Sequence, residues 1–473
     1  MDKVSSNKST AKKKWLRVPN TPALMLFVIL IVGILTYVIP AGEFERVFDE
    51  ATNRTLVVPD TFTTMEQTPV GIGGILSSVF EGLVKASEII GFVFVVGGAF
   101  AIVQKSGAID SGLGKLIKKF TGREYLLISI LMIAFSIGGA TFGMAEETLP
   151  FVTILVATSL SMGFDKVVGV AMILVGVYCG YSAGPLNPFN TGVAQGIAEL
   201  PPFSGIGLRI ALMVGSLVIA IHHTIRYCEK LKKDKKGIIV KDDEFTINDE
   251  EQFNMEMNSQ RRLILIILVI TISVLVFGVL KYGWYFSEIS ALFFAMSLVV
   301  GLILFKGNFE KFADEFIIGA SGMAGAAILM GLSRAILVVA EQGHIMDTIV
   351  YYISIPLSNL NNVFAAWGMY IAQGFINFFI PSSSGQAVVV MPIMSALSDL
   401  LGVTRQVSVL AFQAGDGYWN MITPTHSVVM ATLGLAGLSF NKWFKFALPL
   451  VIKWSLWIMA VLAFAVFTNW GPF

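Results

Sequence analysis

The sequence predicts an all-α membrane protein of two inverted repeats, each carrying a re-entrant hairpin and a broken transmembrane helix. Three observations predict it: apolar runs long enough to cross a bilayer, a one-sided distribution of basic residues, and a faint internal repeat rich in glycine and proline. The 473 residues are 55% hydrophobic and 14% charged, with a mean hydropathy of +0.75, whereas a soluble domain carries about 25% charged residues. That composition excludes a soluble multidomain enzyme and makes membrane lipids the surroundings. Several stretches, 263–280 and 448–467 among them, approach or reach the roughly 20 apolar residues of a spanning helix.

The first apolar stretch, 22–39, follows a basic segment and is longer than a signal-peptide core, so it reads as an anchor helix. With the amino terminus cytoplasmic, Lys and Arg collect on one side: Lys105 to Arg123, Lys166, Arg226 to Arg262, Lys306, Lys311, Lys442 and Lys445. The other side holds only Arg46, Arg54, Arg209, Lys281 and Arg405, beside an acidic stretch at 43–66, and the carboxyl terminus ends there. This is the bias expected of a positive-inside protein. A net charge of +1 gives no sign of nucleic acid as a partner, and Cys179 and Cys228 suggest neither a disulfide framework nor a metal site.

A shift of 239 positions aligns Gly163 with Gly402, Gly176 with Gly415 and Pro185 with Pro424, and a shift of 236 aligns Gly107 with Gly343. The two copies start on opposite sides by the charge rule, so the repeats are inverted, as in many transporters. The expected division is 1–74 (amino terminus, first helix, external loop), 75–226 (first repeat), 227–262 (charged cytoplasmic linker), 263–306 (connecting helices) and 307–473 (second repeat). Each repeat carries a hairpin whose arms look too short to span twice, at 125–162 and 363–400. Their tips fall near 138–147 and at Asn377 and 381–386. Helices broken at 182–191 and 415–426 follow. Backbone opened there is tolerated only inside protein or a wet cavity.

Gly143-Met144-Ala145-Glu146-Glu147-Thr148-Leu149-Pro150, Ser182-Ala183-Gly184-Pro185-Leu186-Asn187-Pro188, Pro381-Ser382-Ser383-Ser384-Gly385-Gln386 and Thr423-Pro424-Thr425 carry a resemblance to a known family. From Val18 onward the chain resembles the DcuC carriers of the ion transporter superfamily, and within it the branch named for basic amino acid antiport. The resemblance implies a bacterial inner-membrane carrier with a scaffold and a transport domain. Both hairpin tips and both breaks would meet around one solute, in a homodimer working by an elevator motion. Relatives with a Ser-Asn-Thr signature at each tip use it for sodium and carboxylate. Here Asn377 with the three serines is a counterpart in the second hairpin, while the first tip carries Glu146-Glu147 instead, which counts against sodium coupling and a dicarboxylate.

The expected solute site therefore comprises Glu146, Glu147, Thr148, Asn187, Asn377, Ser382, Ser383, Ser384, Asp416, Thr423 and Thr425. Ionisable groups within a membrane are costly and usually work there. Three acids suit a cationic solute, a proton or a metal ion; alternatively they cap half-helix amino termini. Arg334, expected within a helix over 312–340, either holds a substrate carboxylate or pairs with one of those acids. His426 aligns with Asn187, and a structural hydrogen bond is its expected role. Glu81, Lys85 and Glu88 read as an intrahelical charge cluster. No HExxH or GxxxxGK[ST] motif occurs, and the GxSxG spelled by Gly180-Tyr181-Ser182-Ala183-Gly184 lies in an apolar span and not on a strand-to-helix elbow, so the residues point to a secondary carrier and not to an enzyme or an ATP-driven pump. No cofactor is expected, beyond a coupling Na+ or H+. Exchange of basic amino acids such as arginine and ornithine is the first expectation; a sodium- or proton-coupled C4-dicarboxylate carrier is the alternative.

Overall fold

A computed structural model of the chain describes residues 21–49, 54–233 and 256–471. The basic amino-terminal segment and most of the charged linker lie outside the described residues. Among the described residues, eight helices are long and apolar enough to cross a membrane.

The two copies expected from the sequence recur as the same element order. A 14-residue helix, Ile72–Lys85, and a 19-residue helix, Ser87–Lys105, are mirrored by Phe309–Gly322 and Ala324–Gln342, of the same lengths. Arg334 thus lies on the second of two helices separated at Met323, not on one uninterrupted helix. Hairpin arms follow: Glu124–Phe142 with Glu146–Phe151 and Val152–Ser161, then Asn362–Phe379 with Ser383–Leu400. Broken helices come next, Lys166–Ala183 with Val193–Ile197 and Arg405–Trp419 with Ser427–Leu435. Each copy closes on a 28-residue helix, Ile206–Lys233 or Phe440–Phe467.

The paired helices pack across the copies, Ile72–Lys85 on Ala324–Gln342 and Ser87–Lys105 on Phe309–Gly322. Small residues permit this: a Cβ on Gly82 would lie 2.5 Å from the Gly331 carbonyl, and one on Gly319 2.7 Å from the Gly97 carbonyl. The helix ends are tied by Lys85 to Glu341, by Gln342 to Glu81 (2.9 Å) and by Lys105 to Glu315 (2.5 Å). Lys85 and Glu81 therefore bond between helices, which corrects the intrahelical reading. Side chains at a three- and four-residue spacing on a contact face reach the neighbouring helix as easily as each other.

Lys166–Ile197 is the centre of the molecule, with 94% of its apolar window buried, against 22% for Ile206–Lys233 at the periphery. The aligned glycines perform equivalent tasks. Gly176 abuts the Met132 carbonyl of the first hairpin arm, and Gly415 abuts the Tyr370 carbonyl of the second.

Three expectations need correction. Gly138 and Gly139 do not form the first tip: they stay helical, because Gly139 lies against the Val177 carbonyl and any side chain would collide with it. The chain turns instead at Gly143, φ +67°. The first arm consequently has 18 residues apolar enough to span, so its shortness does not mark it as re-entrant. The loop over 42–64, finally, carries strands. It forms two short antiparallel ladders, Gly42–Glu43 with Thr63–Thr64 and Arg46–Asp49 with Arg54–Val57, so the chain is mostly helical and not all-α. Arg46 fastens the loop through both oxygens of Asp347 (2.9 and 2.8 Å), and Phe62 stacks on Tyr351 at 4.1 Å.

Candidate solute site

The first tip is shaped by its own polar groups. After Gly143 the Ala145 N–H donates to the Glu147 carboxylate (3.0 Å), and the Thr148 hydroxyl donates to the Ala145 carbonyl (2.6 Å). Glu147 is thus a cap, as one reading of the sequence allowed. Glu146, partly exposed, has no ion-pair partner within 4.0 Å among the described residues. The second tip is different. Pro381 and Ser382 lead directly into Ser383–Leu400, whose first amide groups receive no side-chain cap. Thr425 secures that tip by donating to the Phe378 carbonyl (2.7 Å).

The first helix break opens at Gly184, φ +51°, where the freed carbonyls of Ser182 and Ala183 accept from the Gln413 amide. Gln413 also accepts from Thr191 (2.9 Å), so the two broken helices satisfy each other's backbone. Asn187 restarts the first helix by accepting from Phe189 N (3.0 Å) and Asn190 N (3.2 Å). His426 does the same in the second copy, accepting from Val429 N (3.4 Å). The aligned pair Asn187 and His426 is therefore a pair of helix caps. The second break begins later than expected, at 420–426. Gly415, Asp416 and Gly417 belong to the intact helix Arg405–Trp419, the glycines being needed where Tyr370 and Ser182 press against it.

Between the tips lies a cavity of about 90 Å³, room for about three waters at about 30 Å³ each. Glu146 and Glu147 line one wall, and Ser382, Ser383 and Ser384 line another. Arg334 completes the ring, close enough to Glu146 for its charge to act there. Asp416 stands one residue behind: its Oδ2 accepts from Asn190 Nδ2 (2.7 Å) and from the Ser383 hydroxyl. Asn377 lies deeper still, donating to the Asp416 carbonyl (3.1 Å) and to Asn420 Oδ1 (2.7 Å). Thr148, Asn187, Thr423 and Thr425 are not brought to the cavity; their side chains serve nearby backbone, Thr423 bonding the Trp419 carbonyl (2.8 Å).

Sequence reasoning missed three tyrosines. Tyr181 shares a 2.7 Å hydrogen bond with Ser383, Tyr178 reaches His426 (3.3 Å), and Tyr285 lines the cavity from just before the connecting helix Phe286–Phe305, outside both copies. The pair Tyr178 and Tyr181, one turn apart just before a helix break, was the available signal. The chemistry of the site is two-sided. Glutamates offer negative charge to cationic groups, while the uncapped helix terminus, the serine hydroxyls and Arg334 offer donors to a carboxylate.

The profile of the C4-dicarboxylate anaerobic carrier family, DcuC, matches residues 18–467. A protein of Escherichia coli (strain K12) named "Putative basic amino acid antiporter YfcC" is 34% identical, over 94% of this chain and 95% of that one. An uncharacterized protein of Haemophilus influenzae is 30% identical, over 94% and 96%. Among solved structures, the YdaH transporter of Alcanivorax borkumensis gives a TM-score of 0.47 at 16% identity, covering 96% of this chain and all of that one. MtrF of Neisseria gonorrhoeae, described as illuminating a class of antimetabolite efflux pumps, gives 0.42 at 17%, covering 96% of each. On the family match and the two relatives, the chain belongs to the DcuC family and is a multi-pass secondary transporter, not an enzyme.

Proposed function

We propose that the protein exchanges basic amino acids, of the arginine and ornithine type, across a bacterial cytoplasmic membrane. The observation that carries this reading is the two-sided cavity, with Glu146 and Glu147 facing an uncapped helix terminus and its serines. A basic amino acid has one carboxylate and two cationic groups, and this ring supplies a partner for each kind. A dicarboxylate would have to lie beside two glutamates. The name carried by the Escherichia coli relative favours the same solute class. A second reading, a sodium- or proton-coupled C4-dicarboxylate carrier, is favoured by Arg334 and the serine tip, and by the family's own description. Asp416, with Asn190 and Ser383 on one oxygen, is our choice for the group that handles the coupling Na+ or H+.

In this reading the two copies are inverted repeats with re-entrant hairpins, in a chain with its amino terminus inside and its carboxyl terminus outside. The basic residues support that orientation. The hairpins and broken helices move as an elevator against the paired helices, within a homodimer. Uptake of labelled arginine into proteoliposomes loaded with ornithine, succinate or nothing tests the function. Uptake stimulated only by internal ornithine is the expected result. Labelled succinate entering on a sodium gradient, with no arginine flux, would establish the second reading instead.

A further inference from the structure

A second cavity, of about 550 Å³, lies between Ile206–Lys233 and Phe440–Phe467, far along the chain from either hairpin. Its size falls in the range of about 300–1,000 Å³ that takes a small-molecule-sized group. Its walls are two facing rows. His222, Arg226 and Lys230 recur at four-residue intervals on one helix, and Lys445, Pro449 and Lys453 do so on the other, so each row forms one helix face. The floor is Phe446, whose ring lies 4.9 Å from His223 and 5.1 Å from Tyr227. Among the described residues no carboxylate lines the crevice, and none of its four Lys and Arg side chains has one within 4.0 Å.

Lys453 is the informative residue. It stands eight residues, about 12 Å along the axis, beyond Lys445 and inside the apolar part of its helix. It is solvent-exposed in the isolated chain, and its neighbours Ile452 and Leu456 are 53% and 66% exposed, as lipid-facing side chains are. Its Nζ lies 3.1 Å from His223 Nδ1, which is no counter-charge when the ring is neutral. A lysine left facing hydrocarbon without an anion is costly, and helix-to-helix basic pockets at a membrane surface suit phosphate-bearing lipids.

We infer that this crevice binds the phosphate of an anionic phospholipid. The guanidinium of Arg226 and the ammonium groups of Lys230, Lys445 and Lys453 surround the headgroup, and the acyl chains run along Val218, Ile452 and Leu456, all exposed apolar side chains in line with it. The site is independent of the solute and of the direction of transport.

Native mass spectrometry of the full chain in detergent, incubated with phosphatidylglycerol, phosphatidylcholine or inorganic phosphate, tests this. Phosphatidylglycerol should be retained at least fivefold over phosphatidylcholine. The variant Lys445→Gln/Lys453→Gln should lose that preference, and Lys445→Arg/Lys453→Arg should keep it. Equal retention of the two lipids, or an unchanged preference in the glutamine variant, overturns the inference. Displacement of the lipid by inorganic phosphate at equal concentration would make the crevice a free-anion site, which also overturns it. So would phosphatidylglycerol retention seen only after the acidic residues of 242–251 are replaced by serine, since the chain's own linker would then be the occupant. Arg226→Gln gives the same reading should the double variant not fold.

Discussion

The two hairpin tips occupy corresponding places in the chain and are built differently. In the first, the backbone turns at Gly143 and enters a tight 3-10 turn that begins with Glu146 and Glu147, one of them capping it. In the second, Pro381 and Ser382 lead straight into an 18-residue helix whose amino terminus lacks a side-chain cap. Three devices that shape the backbone around them are shared: a glycine contact at Gly176 or Gly415, a proline in each break, and a cap at Asn187 or His426. The copies therefore agree on folding and disagree on charge. A symmetric pair of tips would favour a solute with like ends. These tips give the cavity a negative wall and a donor wall, which suits a solute whose ends differ.

The largest expected effect comes from erasing the negative wall. Glu146→Gln should lower arginine exchange by about 100-fold, the equivalent of a charge-assisted contact of about 3 kcal/mol. Glu146→Asp should fall between that variant and the unmodified chain, because it keeps the charge and withdraws it by one methylene. Initial rates in proteoliposomes, per folded protein, give the comparison. An exchange rate within twofold of the unmodified chain would mean that the tips do not divide the work by charge.

A smaller effect is expected at the donor wall. Ser383 connects the cavity to Asp416 and Tyr181, so Ser383→Ala removes two hydrogen bonds, one to a carboxylate. The expected loss is about 1–2 kcal/mol, or roughly 5- to 30-fold in apparent solute affinity. Ser384→Ala should cost less than about threefold, since no such network depends on that hydroxyl. Equilibrium binding to the solubilised protein distinguishes the two, and equal losses would show that the serines act only as a helix terminus.

Much of this architecture was legible in the chain because polar residues, glycines and prolines are expensive inside a membrane and so stand out in it. Pro185 with Pro424 located both breaks, and the aligned Asn187 and His426 turned out to be equivalent caps. Glycine was the misleading signal. Gly138 and Gly139 read as a hairpin tip and Gly415 and Gly417 as a break, yet all four lie within helices, and three of them let a neighbouring helix approach within van der Waals reach. One sequence does not separate a glycine needed for a turn from one needed for contact. The hydroxyls of Thr148, Thr423 and Thr425 were illegible for a related reason: whether a threonine faces a cavity or its own backbone depends on helix rotation. Tyr285 lies outside the repeats, so no internal comparison could find it. The strand ladders at 42–64 are held by Asp347, some 300 positions away from Arg46, a pairing with no local pattern.

The smallest effect belongs to the two caps, and it tests the half of the comparison in which the copies agree. Asn187 accepts two amide bonds at 3.0 and 3.2 Å, whereas His426 accepts one at 3.4 Å. Asn187→Ala should therefore cost about 1–2 kcal/mol of stability and His426→Ala less than about 1 kcal/mol, within the range of helix amino-terminal caps. His426→Asn should recover the second loss, since asparagine is among the better caps, and should leave solute affinity unchanged if the cap is the imidazole's whole task. Melting temperatures in one detergent rank the three variants, and binding measured beside them separates stability from recognition. A His426→Asn chain that is as stable as the original but binds solute tenfold more weakly would show that His426, which lines the cavity beside Tyr178, also takes part in recognition.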